Sequence, residues 1–160
     1  MLSADQSFRT TLADTSPARS VNYMGNYLTF HVDGSDTGGK FAVIESEATR
    51  GSEPPLHIHE YEDEFFFVME GQLEVVCGGE TQTLSPGQSA LLPRGIPHTF
   101  RVIPESARFL VHITPAGFED YFRTLGRLAG SAYQPAPPPP DRERLLRVAQ
   151  DFGLTFVAAE

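Results

Sequence analysis

The residues of this chain best suited to chemistry are three histidines and a glutamate: His57, His59, Glu64 and His98. His57 and His59 stand two apart, and on a β-strand that spacing puts both imidazoles on one face, with Cα atoms about 6.6 Å apart. Glu64 and His98 can then complete a four-ligand site of nitrogen and oxygen donors for one divalent metal. Glu64 lies five residues after His59, the wrong parity for the same face of one unbroken strand. The polar stretch Glu60-Tyr61-Glu62-Asp63 is therefore expected to turn the chain and return Glu64 on the adjacent strand of a hairpin. His98 follows Pro93-Arg94-Gly95-Ile96-Pro97, a constrained approach that fixes where its strand begins. Taken singly, each histidine reads as a surface or satisfied core residue, and the acidic run as a solvated turn. Glu62 shares the parity of Glu64 and is the best substitute ligand should Glu64 point away. Joint occurrence with glycines and prolines at fixed offsets lifts the set above those readings.

The elements around these residues read as short strands at close spacing: 27–32, 40–48, 56–59, 64–70, 72–77, 80–84, 88–93, 98–103 and 107–114. Loop and turn material separates them, including 33–39, Gly78-Gly79, Ser85-Pro86-Gly87 and 104–106. Many short strands joined by Gly/Pro turns predict an all-β antiparallel sandwich or barrel. The segments EFFFVM and SALLP are apolar on both parities, so each is expected to be covered on both faces, one by the barrel interior and one by a second sheet, a helix or a partner subunit. The tail changes character. Phe118, Tyr121, Phe122, Leu125 and Leu128 recur at helical spacing within 117–130. Residues 134–141 form a stiff proline-rich linker, after which Asp141 caps a final helix over 142–153 that Gly153 ends. The expected organisation is an N-terminal arm (1–20), a β-barrel domain (21–115) and a C-terminal helical extension with the linker (116–160).

Length and composition bound the function. A chain of 160 residues with 40% apolar residues can bury one core without staples. A formal charge of −9 repels phosphate backbones, so nucleic acid and anionic membranes are excluded as expected partners. Cys77 is the only cysteine, which leaves no intramolecular disulfide and implies no oxidising compartment. The first residues have neither a basic nor a long apolar segment, and no apolar run approaches a membrane span. A soluble cytoplasmic protein is the expectation.

Gly51-His57-His59-Glu64-Gly71 fits the pattern G-x5-H-x-H-x4-E-x6-G without a gap. Gly87, Pro93, Gly95 and His98 fit G-x5-P-x-G-x2-H-x3-N, with Val102 where the asparagine is usual. On these two motifs the chain resembles the cupin superfamily. The resemblance implies a small jelly-roll barrel with short C-terminal helices, His57, His59, Glu64 and His98 as metal ligands, and a homodimer. The departure at Val102 touches no ligand. The contexts HIHEYEDEFFFVMEG and GFEDYFRTLG look more narrowly like small bacterial proteins similar to quercetin 2,3-dioxygenases.

Three imidazoles and a carboxylate leave one or two coordination positions open and suit Fe, Ni, Mn, Cu or Zn without choosing among them. Glu64 alone of the four can be both ligand and general base. The leading expectation is a metal-dependent dioxygenase on a small flavonol-like enol or phenol with an adjacent carbonyl. Glu64 removes the hydroxyl proton, and the electron-rich substrate reacts with O2 and loses a carbon–carbon bond. The alternatives are a non-oxidative metal-dependent isomerase or lyase, and a cupin that binds a small ligand without turnover. By parity Phe66 and Val68 follow Glu64 into the substrate pocket, Phe100 and Val102 follow His98, and His112 has a claim on the interior through its strand. For the phenylalanines, plain core packing is the competing role. Cys77 reads as a structural thiol rather than a nucleophile.

Overall fold

The computed structural model describes residues 19–129 and 141–157. The expected N-terminal arm as far as residue 18, and all but the last residue of the proline-rich linker, lie outside the described residues. In chain order the elements are β1 (Ser20–Tyr23), β2 (Asn26–Val32), α1 (Gly34–Thr37), β3 (Ala42–Thr49), β4 (His57–His59), β5 (Asp63–Glu70), β6 (Leu73–Cys77) and β7 (Glu80–Leu84). They continue as β8 (Ser89–Leu92), β9 (His98–Val102), β10 (Ser106–Thr114), α2 (Glu119–Leu125), β11 (Arg127–Leu128), α3 (Arg142–Asp151) and β12 (Leu154–Phe156). The strands form two antiparallel sheets, ordered β11-β1-β2-β3-β10-β5-β8 and β12-β4-β9-β6-β7. Two antiparallel sheets are what the strand pattern predicts, and their arrangement is consistent with the jelly roll that the cupin resemblance implies.

Alternation along the strands sets the core. On β5, Glu64, Phe66 and Val68 are buried while Phe65 and Phe67 are not; on β10 the buried set is Ala107, Phe109, Val111 and Ile113. The opposite sheet supplies Leu73, Val75, Phe100 and Val102. Phe66, Phe100 and Phe109 lock the two layers together, with ring centroids 5.2–5.8 Å apart in tilted and edge-to-face pairs. Gly71, in the tight link between β5 and β6, has φ +74° and packs so closely that a Cβ there would lie 2.6 Å from the Ser106 carbonyl oxygen. Only glycine fits that turn.

Three features depart from the sequence expectation. The stretch 33–39 contains the one-turn helix α1, closed by a reciprocal cap between Asp33 and Asp36. The 117–130 segment is helical only as far as Leu125, then turns at Gly126 into β11, which pairs with β1. The final helix is capped by Asp141 as expected, but it leads into β12, which adds an edge to the five-stranded sheet beside β4. The strands β1, β11 and β12 carry too few alternating residues to register as strands in the sequence. The outer faces of β5 and β8 are not covered within the described residues: Phe65 is 38% exposed and Leu91, its register partner, 61%.

Candidate metal centre

The histidines reach one point from two neighbouring strands of one sheet. β4 carries His57 and His59 on its inward face, and His57 is in direct register with His98 at the start of β9. Glu64 comes from the other sheet, contrary to the hairpin expectation: β5 pairs with β10 and β8, never with β4. The turn 60–62 therefore carries the chain across from one layer to the other, and the cluster lies between the two sheets. All four side chains are buried, and one ligand atom from each lies within 4.8 Å of all the others. Glu64 Oε2 stands 3.2 Å from His98 Nε2 and 3.7 Å from His59 Nε2.

The surroundings aim the imidazoles. His57 Nδ1 is 2.8 Å from the Pro55 carbonyl and His98 Nδ1 is 2.9 Å from the Ile96 carbonyl. A carbonyl only accepts, so each ring carries a proton on Nδ1 and turns Nε2 to the centre, where His98 Nε2 meets Glu64 Oε2 within hydrogen-bond distance. His59 Nδ1 and Glu62 Oε2 lie 3.6 Å apart, buried and without any hydrogen-bond partner. Glu62 thus stands behind His59, on the far side from the cluster, and because Glu64 points into the cluster no substitute ligand is needed. Burial, helped by the neighbouring His98, lowers the His57 pKa to about 4, so that ring is neutral at ordinary pH. Burial alone would raise Glu64, but the three imidazoles outweigh it and hold the carboxylate down at about 2. His59 would be lowered by burial, yet Glu64 and Glu62 on its two sides raise it.

These features fit a metal ion. Three Nε2 atoms and a carboxylate converge, and the orphaned Nδ1 and Oε2 atoms, 3.6 Å apart, would be matched if His59 ligated through Nε2 and closed on Glu62 with its Nδ1 proton. The residues that could hold a metal are therefore His57, His59, Glu64 and His98. The cluster opens into an apolar cavity of about 140 Å³ between the sheets, walled in part by Phe66, Phe100, Phe109, Val111, Phe118 and Tyr121.

Residues 45–113 match the cupin domain family. The chain belongs to the cupin superfamily. This cupin is 34% identical over 91 residues to quercetin 2,3-dioxygenase of Bacillus subtilis, a match covering 57% of this chain and 27% of that protein. It is 33% identical over 118 residues to quercetin 2,3-dioxygenase of Aspergillus japonicus, covering 69% and 34% respectively. The match thus spans about a third or less of either dioxygenase. Among solved structures, the polyketide cyclase RemF from Streptomyces resistomycificus superimposes with a TM-score of 0.52 at 29% identity, over 66% of this chain and 78% of that one.

The residues expected to line the cupin pocket divide three ways. Phe66 and Phe100 line the cavity. Val68 and Val102 point inward as expected but are packed in the core and are not among the cavity-lining residues. His112 faces the opposite way: Val111 and Ile113 take the inward positions on β10, and the His112 ring stacks on Phe41 at 5.2 Å on the outer face of the sheet. Its assignment to the pocket is corrected accordingly. Cys77 is in register with His98, although far from it in sequence, and burial with help from Glu80 raises its thiol pKa. The sequence reading missed the wall supplied by Tyr23, Phe118, Tyr121, Leu154 and Phe156. Its only signal was the helical recurrence of Phe118 and Tyr121, which reads equally well as core packing. Among the described residues no helix is long and apolar enough to cross a membrane.

Proposed function

We propose that this cupin is a metal-dependent dioxygenase acting on a small flavonol-like substrate, one with adjacent enolic hydroxyl and carbonyl oxygens. The observation that carries the reading is the buried three-histidine, one-glutamate cluster opening onto an aromatic-walled cavity; the similarity to two quercetin 2,3-dioxygenases supports it. His57, His59, Glu64 and His98 would hold one divalent transition metal, which supplies a Lewis acid for the chelating oxygens and, with a redox-active ion, a partner for O2. The chain's own contributions follow from the geometry. The Pro55 and Ile96 carbonyls hold His57 and His98 in orientation, and Glu62 stands 3.6 Å behind His59 Nδ1. Glu64 is the one carboxylate directed into the cluster, and it is the group placed to accept the substrate hydroxyl proton on a carboxylate oxygen. The resulting enolate is electron-rich and reacts with O2, with loss of a carbon–carbon bond. The phenylalanine walls keep water from the deprotonated substrate.

The test is oxygen consumption with quercetin by protein reconstituted separately with Fe2+, Ni2+, Mn2+, Cu2+ and Zn2+. Turnover with a redox-active ion that stops without O2 supports the reading; no turnover of any flavonol overturns it. One observation favours a second reading, a non-oxidative cyclase or isomerase: the RemF match covers most of that protein, whereas the dioxygenase matches cover a minor part of theirs. Turnover under strict anaerobiosis would select it. The exposed apolar strip of Phe65 and Leu91, with the stacked Phe41 and His112 beside it, is the face on which we place a homodimer contact.

A further inference from the structure

Apart from the metal cluster, the cavity holds few polar groups free to meet a ligand. The Asn26 side chain is occupied by the Tyr23 and Ser52 carbonyls and the Ser52 hydroxyl. The Glu53 carboxylate accepts from the Val102 and Gly51 backbone N–H groups. Tyr23 and Tyr121 are different. Their hydroxyls are 2.8 Å apart and bond to each other, and both residues line the cavity.

Two phenols carry two O–H donors, and the mutual bond uses one. The second donor has no acceptor among the described residues, and lone pairs on both oxygens are also left over. Burial, with each hydroxyl beside the other, raises the pKa of Tyr23 far above its ordinary value, and burial raises that of Tyr121 as well. Both phenols therefore stay neutral and suit a neutral partner. The pair is also held still. The Tyr121 ring stacks on Phe118 at 4.9 Å, and Phe122 packs edge-on against Tyr23 at 5.4 Å and against Tyr121 at 5.5 Å. Phe118 in turn meets His59 edge-on at 4.2 Å. With Phe118 4.2 Å from the His59 ring centre and 4.9 Å from that of Tyr121, the latter two centres can be no more than about 9 Å apart. One aromatic wall therefore runs from the metal histidines to the tyrosine hydroxyls.

We propose that the Tyr23–Tyr121 hydroxyl pair is a second anchoring subsite, which binds a hydroxyl or carbonyl oxygen on the part of a flat polyphenol remote from its chelating oxygens. This rests on the proposed binding of an enol–carbonyl compound at the metal cluster. It makes the chain selective for ligands polar at both ends, whereas apolar walls alone would prefer the less hydroxylated analogue. The neutral pair both donates one hydrogen bond and accepts another, which matches a phenolic hydroxyl better than a charged group.

The test uses two probes, quercetin and 3-hydroxyflavone. The second keeps the chelating pair and lacks every other hydroxyl. Affinities are measured by fluorescence titration, without O2, for Zn2+-reconstituted wild type, Tyr23→Phe, Tyr121→Phe and the double variant Tyr23→Phe/Tyr121→Phe, each checked for an unchanged fold by circular dichroism. The expected result is a wild-type preference for quercetin that the double variant loses by about five- to tenfold, the scale of one to two hydrogen bonds, with 3-hydroxyflavone affinity unchanged. The single variants lie between, because either remaining hydroxyl can still reach the ligand. Equal weakening of both probes would mean that the pair only ties α2 to β1, and would overturn the proposal. So would a wild type that binds both probes with no preference, which leaves the flavonol reading standing. A wild type that binds neither probe removes the flavonol reading and this subsite with it.

Discussion

Glu64→Gln keeps the shape of the side chain and removes the charge on which the centre is organised. In the metal-free protein the carboxylate is buried, yet its pKa lies at about 2 against an ordinary 4.5. Burial alone would have raised it, so the neighbouring imidazoles supply more than the burial penalty. A folded-state pKa below the unfolded one means that the stabilisation is fully present above about pH 4.5 and is lost as pH falls towards 2. At roughly 1.4 kcal/mol per unit the gap corresponds to about 3–4 kcal/mol. For a chain of this size each kcal/mol moves the melting temperature by about 2–4 °C, so metal-free Glu64→Gln should melt on the order of 10 °C lower than wild type at pH 7. The assay is calorimetry of chelator-treated wild type and variant from pH 7 down to pH 3. The difference between the two should persist at neutral pH, vary there as His59 loses the proton whose binding Glu64 favours, and shrink below pH 4.5 as Glu64 itself is protonated. The lowered pKa of His57 destabilises both proteins over a higher window, between about 6.5 and 4, and the variant more, because Glu64 partly offsets that lowering in wild type. Equal melting temperatures at pH 7, or a difference that ignores pH, would refute the claim that the imidazoles hold this carboxylate ionised.

The remaining predictions concern positions outside that balance. His112→Ala should leave metal stoichiometry and flavonol affinity at wild-type values, whereas His98→Ala should lower bound metal well below one equivalent; plasma emission spectrometry separates the two. Gly71→Ala should cost about 2 kcal/mol or more, since it combines a positive φ with a Cβ driven against the Ser106 carbonyl, and urea denaturation will measure it. Leu91→Asp places a charge in the exposed strip opposite Phe65. If that strip joins two copies of the chain, sedimentation velocity will show a dimer for wild type and a monomer for the variant, and an unchanged sedimentation coefficient counts against the contact.

Parity was enough to read most of the strands, and it failed where both parities are apolar. On β5 the placement of Glu64, Phe66 and Val68 inward follows from a single anchor, the ligand itself. On β10, Phe109, Val111 and Ile113 compete with Leu110 and His112, and nothing local decides between them. The decision comes from register, since Ile113 is paired with Glu64 across the sheet and must share its inward face. A turn between two strands carries a similar ambiguity. The run 60–62 had to redirect the chain, but a hairpin within one sheet and a crossing between two sheets need the same polar residues. Only the pairing of β4 with β9 and β12, and of β5 with β10 and β8, distinguishes them.

That crossing also accounts for the acidic run itself. In a hairpin, four carboxylates around a tyrosine would be solvated turn residues and little more. Because the chain instead passes from one layer to the other at this point, Glu62 and Glu64 end on opposite sides of the same imidazole. Glu64 Oε2 lies 3.7 Å from His59 Nε2, and Glu62 Oε2 lies 3.6 Å from His59 Nδ1. The other two acids stay at or near the surface, where Asp63 is engaged by Arg94 at 2.8 Å. A spacing of two between Glu62 and Glu64 therefore places a carboxylate 3.6 Å behind His59, in the position that the Pro55 and Ile96 carbonyls, at hydrogen-bond distance, take behind His57 and His98. It gives the ring an acceptor behind it and leaves its remaining nitrogen facing the cluster. The histidine that has no backbone carbonyl to orient it is the one bracketed by two buried carboxylates, which is why the ligand set and the acidic turn must be read as one unit.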